Sequence, residues 1–430
     1  MMMGYYILAS LVIIQGLVAL REGVRYWRFV SLCLGQPPAD YTPKVAVLAP
    51  CKGIDPGFRA QVGSLLGQDY PDYEVIFVTE SQDDAAYHQI GGRLQKESYP
   101  HASLIEAGPT RGRGQKVHNL LRALDHVSDD VEVLAFIDSD VTPPSSWLRC
   151  LVAPLSDREV GATTGYRWYI PAQGNGWSLL RSLWNASIAT ALGPHKRNFT
   201  WGGSTAIRRE TFAAAGVRRA WSGACTEDYP LSQAVKDYGL YVKFVPQCLI
   251  PSRGGCDLRE LLQFTTRQMV LTRVYSPRLW WLALLTNLLF FGAFYGGLGI
   301  LLGEWANGRM GEWEPTSPIL PFSHSPILML VGLIYGLGVA KAVLRQKAVE
   351  LILGGATQED LKRYRLQYYF LYPLANLIYL YNLAVSAVSR RIQWRGIHYQ
   401  LVHRSETLVI DQGKRKKREK GKKSFFLSSF

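Results

Sequence analysis

No two of the six cysteines (Cys33, Cys51, Cys150, Cys225, Cys248, Cys256) are spaced as a Cys-x-x-Cys pair. That argues against a structural zinc site and a disulfide framework, and suits a reducing compartment. Charge is missing from long stretches as well. Residues 1–20 carry none, about the length needed to span a bilayer. A cleaved signal peptide would have its positive charge in front and a small-residue site behind. Here Arg21, Arg25 and Arg28 lie behind, which fits an uncleaved anchor with its carboxyl side in the cytoplasm; a buried core helix is the plainer alternative. Three more uncharged runs, 279–303, 315–340 and 366–389, are each long enough to cross. Trp280, Trp281, Trp305 and Trp313 stand near their ends, as interfacial anchors do. The net charge of +14 favours anionic partners. Its basic residues cluster beside the membrane segments and no recognition motif accompanies them, so nucleic acid is not an expected partner.

Between these runs the character changes. Residues 36–43 (Gln-Pro-Pro-Ala-Asp-Tyr-Thr-Pro) read as a linker. Beyond it, Val45-Ala-Val-Leu48 and Tyr73-Glu-Val-Ile-Phe-Val-Thr79 read as strands. Residues 57–69 and 115–127 read as helices, with Val62, Leu65, Leu66 and Val117, Leu120, Leu121, Leu124 at helical spacing. Strands alternating with helices predict a mostly parallel sheet covered on both faces. The basic stretch 341–365 falls on the same side of the membrane as this domain, and so should the tail Lys414-Arg-Lys-Lys-Arg-Glu-Lys-Gly-Lys-Lys423, which would be drawn to anionic lipid. Three spans after the domain would put the tail on the opposite side. The Pro373-containing run is therefore the candidate for a re-entrant or interfacial helix.

The chemistry concentrates on carboxylates. Glu132-Val-Leu-Ala-Phe-Ile-Asp-Ser-Asp140 is an apolar run ending in two aspartates, broken by Val141-Thr-Pro-Pro144. Carboxylates at the carboxyl end of a buried strand lie where open α/β sheets bind ligands. They suit Mg²⁺ or Mn²⁺, which grips a diphosphate; the spacing alone would equally suit a solvated Asp-rich turn. Thr226-Glu-Asp228 precedes a helix start, so Asp228 reads either as a cap or as a general base, with Glu227 its rival. Trp201-Gly-Gly-Ser-Thr205 is a turn where backbone could approach a ligand. Thr110-Arg-Gly-Arg-Gly-Gln-Lys116 is a basic loop that could meet a diphosphate or simply be solvated.

Taken in order, Glu80, Asp138 with Asp140, and Glu227-Asp228 resemble the acidic sites of family-2-type inverting glycosyltransferases, and more narrowly the ceramide glucosyltransferase branch. Pro50-Cys-Lys-Gly-Ile-Asp-Pro56, Val78-Thr-Glu-Ser-Gln-Asp-Asp84 and Lys116-Val-His-Asn119 are similar to segments of that branch. The resemblance covers residues 45–275 and the arrangement of one anchor before and several spans after. It implies a nucleotide-diphosphate-sugar-binding, glycosyltransferase A-type (Rossmann-like) α/β domain plus transmembrane helices. It also implies a UDP-sugar donor, UDP-glucose or a close relative, and a lipid acceptor entering from the bilayer. Donor contacts would be Lys52, Glu80 (near the nucleoside), Lys116, Asp138, Arg267 and Arg273. Asp138 and Asp140 would hold Mg²⁺ or Mn²⁺, and Asp228 would be the base. One departure stands out. Where the family carries Arg-Trp, this chain has Val270-Leu271, leaving Arg267 for the first position and Arg273 as a candidate for the missing charge. Ile392-Gln-Trp-Arg-Gly-Ile-His-Tyr399 resembles a segment after the last span of many bacterial membrane glycosyltransferases, and its aromatic and basic residues suit the membrane surface.

The expected organisation is an anchor (1–28), a catalytic domain (42–275), membrane segments (279–390) and a basic tail (391–430). The expected setting is a bacterial inner membrane, with the catalytic domain cytoplasmic. The expected activity is transfer of a hexose to a ceramide-like or other membrane lipid. A processive polysaccharide synthase and a catalytically impaired nucleotide-sugar-binding membrane protein are the alternatives. The lost Arg-Trp pair counts against the synthase.

Overall fold

The computed structural model describes residues 2–307 and 326–411. Trp313, much of the 315–340 run and the basic tail 414–423 lie wholly or partly outside the described residues.

Seven strands form the central sheet: β1 (Val45–Pro50), β2 (Tyr73–Thr79), β3 (Ala102–Glu106), β4 (Val133–Ile137), β5 (Val160–Ile170), β6 (Ser204–Arg208) and β7 (Tyr241–Arg253), in the order β3-β2-β1-β4-β6-β5-β7. The apolar run that the sequence singles out is β4, the middle strand. It pairs parallel with β1 and antiparallel with β6, and β5 and β7 are parallel to each other. The sheet is thus mixed, with β6 running against both of its neighbours. Val133, Ala135 and Ile137 pack on one face with Val47, Phe77 and Leu65. Leu134 and Phe136 pack on the other with Leu48, Val78 and Leu120. Burial on both faces is why these strands read as continuous apolar runs rather than alternating ones. Strand order reverses between β1 and β4, and the crevice at their carboxyl ends is where sheets of this kind take ligands.

Among the described residues, three helices are long and apolar enough to cross a membrane: Met2–Leu34, Pro277–Ala306 and Pro326–Ile352. Ile7, Leu11, Ile14, Leu285, Leu288, Met329 and Leu333 are exposed on them, an apolar surface that water would not tolerate and lipid would. The first helix, with 33 residues, is ~50 Å long at 1.5 Å per residue. It is therefore long enough to emerge from a ~30 Å hydrocarbon layer, and its far end packs Tyr26 and Val30 against Phe244 and Leu249 of the α/β domain.

The run 366–389 is not a fourth long helix. It is split into Arg365–Phe370 and Tyr372–Val388, with Pro373 in the first turn of the second, 17-residue helix. That helix is fastened to the α/β domain. Asn382 Oδ1 accepts from Thr265 (3.1 Å) and Thr266 (2.9 Å), and Tyr379 stacks on Trp184 at 4.9 Å. Trp280 is likewise not an anchor: it is 4% exposed and donates to Ser386 Oγ. Trp281 and Trp305 are exposed. After this helix the chain forms a small antiparallel sheet of β8 (Arg391–Trp394), β9 (Ile397–His403) and β10 (Glu406–Asp411). Ile392, Ile397, Tyr399 and Leu401 pack on Cys225, Val270, Leu271 and Tyr275 of the α/β domain.

Candidate active site

β4 delivers Asp138 and Asp140 into the crevice, and Pro143 and Pro144 keep the strand from continuing. Both carboxylates meet the guanidinium of Arg167, carried by β5. Nη2 donates to Asp138 Oδ2 (2.8 Å) and Asp140 Oδ1 (3.0 Å), and Nη1 to Asp140 Oδ2 (2.8 Å). Arg167 lies 4.7 Å over the Trp201 ring and is 6% exposed. Burial would push the Asp140 carboxyl up, but the charge and hydrogen bonds of Arg167 outweigh it and hold it at about 2.

A second cation sits one carboxylate further on. Lys116, near the start of the helix Gln115–Leu124, bonds Asp138 and Glu227 and donates to the Gly202 carbonyl at 3.3 Å. Burial works against its ammonium. The two carboxylates outweigh that and raise its pKa above the ordinary lysine value. A side chain at Gly202 would collide with the Glu227 carboxylate, so the glycine of the Trp201 turn is what lets Glu227 reach in. Glu227 is 3% exposed and its Oε2 has no hydrogen-bond partner. Burial pushes it up to about 7, against the pull of Lys116.

Asp228 opens the helix Asp228–Asp237, its first residue rather than the one before. Its Oδ1 accepts from Thr226 Oγ1 (2.7 Å) and the Tyr229 amide (2.8 Å). Burial again raises its pKa, against those hydrogen bonds and the charge of Lys116. Four carboxylates thus face two cations at the strand end. Oxygen donors of this kind suit one hard divalent cation. Among the described residues no three His, Cys, Asp or Glu side chains are placed to ligate a metal alone. The donor set fits an ion that keeps open positions for phosphate and water, as Mg²⁺ does.

A cavity of about 1620 Å³ joins this centre to its surroundings. It exceeds the ~300–1,000 Å³ usual for one small ligand. Lys52, Lys116, Asp138, Asp140, Asp228 and Arg267 line it, and so do Leu279, Leu282 and Phe290 of the helix Pro277–Ala306. Glu80 stands behind Lys52, paired with it at 2.5 Å, and is not among the lining residues. Arg267 lies over the rings of Trp394 (5.2 Å) and Phe264 (5.5 Å), and burial lowers its pKa to about 10. Arg273 does not join the site. It bonds the Ser386 carbonyl and lies over Trp280, because the helix Leu258–Tyr275 turns it toward the helix Tyr372–Val388. The basic loop 110–116 contributes Gln115 and Lys116 to the lining, whereas Arg111 and Arg113 stay outside it.

Sequence reasoning missed Arg167, Asp55, Trp394, Arg395 and Tyr399. A lone arginine in the apolar β5 segment Tyr166-Arg-Trp-Tyr-Ile170 was the available signal for the first, since a buried charge needs a partner. Tyr399 accepts from the Gln115 amide at 3.2 Å. Arg395 donates to both oxygens of Asp55, at 2.8 and 2.6 Å.

A ceramide glucosyltransferase of Komagataella phaffii is 31% identical over 103 residues, 23% of this chain and only 19% of that protein's length. Among solved structures, the mannosyltransferase PcManGT of Pyrobaculum calidifontis, in complex with GDP-Man and Mn²⁺, is 19% identical. Its TM-score is 0.44, over 88% of this chain and 98% of that one. Glucosyl-3-phosphoglycerate synthase of Mycobacterium tuberculosis, in complex with Mn²⁺ and UDP-Glc, is 20% identical with a TM-score of 0.35, over 54% of this chain and 77% of that one. The profile of glycosyl transferase family 21 matches residues 6–303, well over half of the sequence, and the chain belongs to that family.

Proposed function

We propose that this glycosyltransferase moves a hexose, glucose in the first instance, from a UDP-sugar to the hydroxyl of a lipid that enters from the bilayer. One observation carries the reading: a single cavity is lined both by the carboxylates of the strand end and by apolar residues of a membrane-crossing helix. A soluble acceptor would have no use for that second wall. The relative in Komagataella phaffii, named a ceramide glucosyltransferase, supports a lipid acceptor.

In this reading Asp138 and Asp140 hold Mg²⁺ or Mn²⁺, which supplies positive charge to the donor's diphosphate. Arg167 keeps Asp140 ionised and orients both carboxylates. Lys52, braced by Glu80, and Lys116, Asp138 and Arg267 contact the donor. Asp228 accepts the proton of the acceptor hydroxyl as its oxygen bonds to the anomeric carbon and the bond to the diphosphate breaks, with inversion. Membranes containing the full chain, incubated with labelled UDP-glucose, UDP-galactose, UDP-N-acetylglucosamine and GDP-mannose, should yield labelled lipid with a UDP-hexose. Label recovered only in a polymer or a water-soluble product would overturn the lipid acceptor.

A further inference from the structure

Val270 and Leu271, standing where Arg-Trp is expected, are 0% and 3% exposed and form the apolar seat of the C-terminal sheet. The seat brings the β8–β9 turn to the cavity, so that Trp394 and Arg395 line it beside Arg267. An aromatic–guanidinium pair is therefore present at the site after all, supplied by a segment more than a hundred residues later.

The turn itself is unusual. Arg395 has φ +49, and among the described residues it is the one non-glycine with positive φ; Gly396 follows at φ +81. Two-residue hairpin turns of this kind favour Asn-Gly, because Asn tolerates the left-handed region and a long side chain does so at a cost. Strain of this sort concentrates at functional sites. The cations nearby are differently engaged. Lys116 and Arg167 are each held between two carboxylates. Arg267 has no carboxylate partner among the described residues, and Arg395 has one, Asp55, with its side chain 37% exposed.

We infer that the Trp394–Arg395 turn belongs to the donor site, with Arg395 contacting the second phosphate of the nucleoside diphosphate and Trp394 holding Arg267 against the same group. This rests on the nucleotide-sugar reading above. The turn takes over the charge that Val270 and Leu271 do not provide, and the leaving diphosphate departs into a pair of guanidiniums.

The test uses the full chain in detergent with Mn²⁺, and compares equilibrium binding of UDP and UMP. Arg395→Asn suits the turn conformation, so the hairpin should keep its thermal midpoint. UDP affinity should fall about tenfold or more, UMP affinity should stay within about twofold, and R395K should recover part of the loss. Equal weakening of UDP and UMP would reduce Arg395 to a clamp on Asp55 and overturn the assignment. UDP bound equally by wild type and R395N would reject it while leaving the donor reading intact. A wild-type chain that binds no UDP would fail both.

Discussion

Asp228 and Glu227 are neighbours with different surroundings, and the difference separates the roles proposed for them. Glu227 is tied to Lys116 beneath the Gly202 turn, a place from which it positions a cation. Asp228 lines the cavity with one oxygen engaged by Thr226 and Tyr229. Asp228→Asn should cut turnover by about 10²–10⁴ and leave UDP-sugar affinity nearly unchanged, since size and shape are kept. Near-normal turnover, or a product that retains the donor's anomeric configuration, would remove Asp228 from the role. The pH profile gives a second check. A base must be ionised, and burial raises the pKa of Asp228 above its ordinary value. Activity should therefore fall with decreasing pH earlier than a solvated aspartate would allow. Asp140→Ala should weaken metal-dependent donor binding, and equal affinity with and without chelator in the wild type would sink the metal assignment. The acidic residues were legible because a strand buried on both faces announces its own end. Their counter-ions were not: Arg167 lies within another strand, and Arg395 meets Asp55 across 340 residues of sequence.

At the scale of elements, strands and their ends were easier to read than the segments between and after them. The expected strand at 73–79 is β2, Tyr73–Thr79, and the run beginning at Val45 is β1. Apolar length alone misled at 366–389. The run is uncharged, yet Asn376, Asn382 and Ser386 give the helix a polar face, which binds Thr265, Thr266 and Trp280 rather than lipid. The packing of the C-terminal sheet on the domain was hidden for a similar reason. Aromatic and basic residues suit a membrane surface and an anionic-ligand site equally, and only the tertiary seat at Val270 and Leu271 separates the two. Gly223, where a side chain would collide with the Ser405 carbonyl, lets the β9–β10 turn come down onto the domain. Tyr399→Phe should test that docking. It leaves the buried Gln115 amide without its acceptor, at about 1–3 kcal/mol, seen as an earlier denaturation midpoint. An unchanged midpoint would mean that the sheet is not held through this contact.

Across the whole molecule, the three long apolar helices among the described residues, rather than four, bear on which side of a membrane the chain from 353 to 411 would lie. The helices Met2–Leu34 and Pro326–Ile352 run parallel, with Gly16 against Leu337 and Gly23 against Leu344, and both lead toward the catalytic domain. The helix Pro277–Ala306 leads away from it. Residues 353–411 are then on the domain's side, where β8–β10 close on the cavity. Arg21, Arg25 and Arg28 lie on this side, as do Lys341, Arg345, Lys347, Lys362, Arg363 and Arg365. The stretch 304–325, which joins the second and third helices in sequence, holds a single lysine or arginine, Arg309. Basic residues mark the cytoplasmic side, so the catalytic domain should face the cytoplasm, where nucleotide sugars are made, and the lipid acceptor should be drawn from the adjoining leaflet. Reporter cysteines decide the matter. In a background with the partly exposed Cys33 and Cys150 replaced by serine, Asn307→Cys should react with an impermeant maleimide on intact cells. Asp40→Cys, in the exposed linker before β1, should react only after permeabilisation. The reverse pattern would invert the molecule in the membrane, and labelling of both sites on intact cells would show that the helix Pro277–Ala306, the one long apolar helix between them among the described residues, does not cross it.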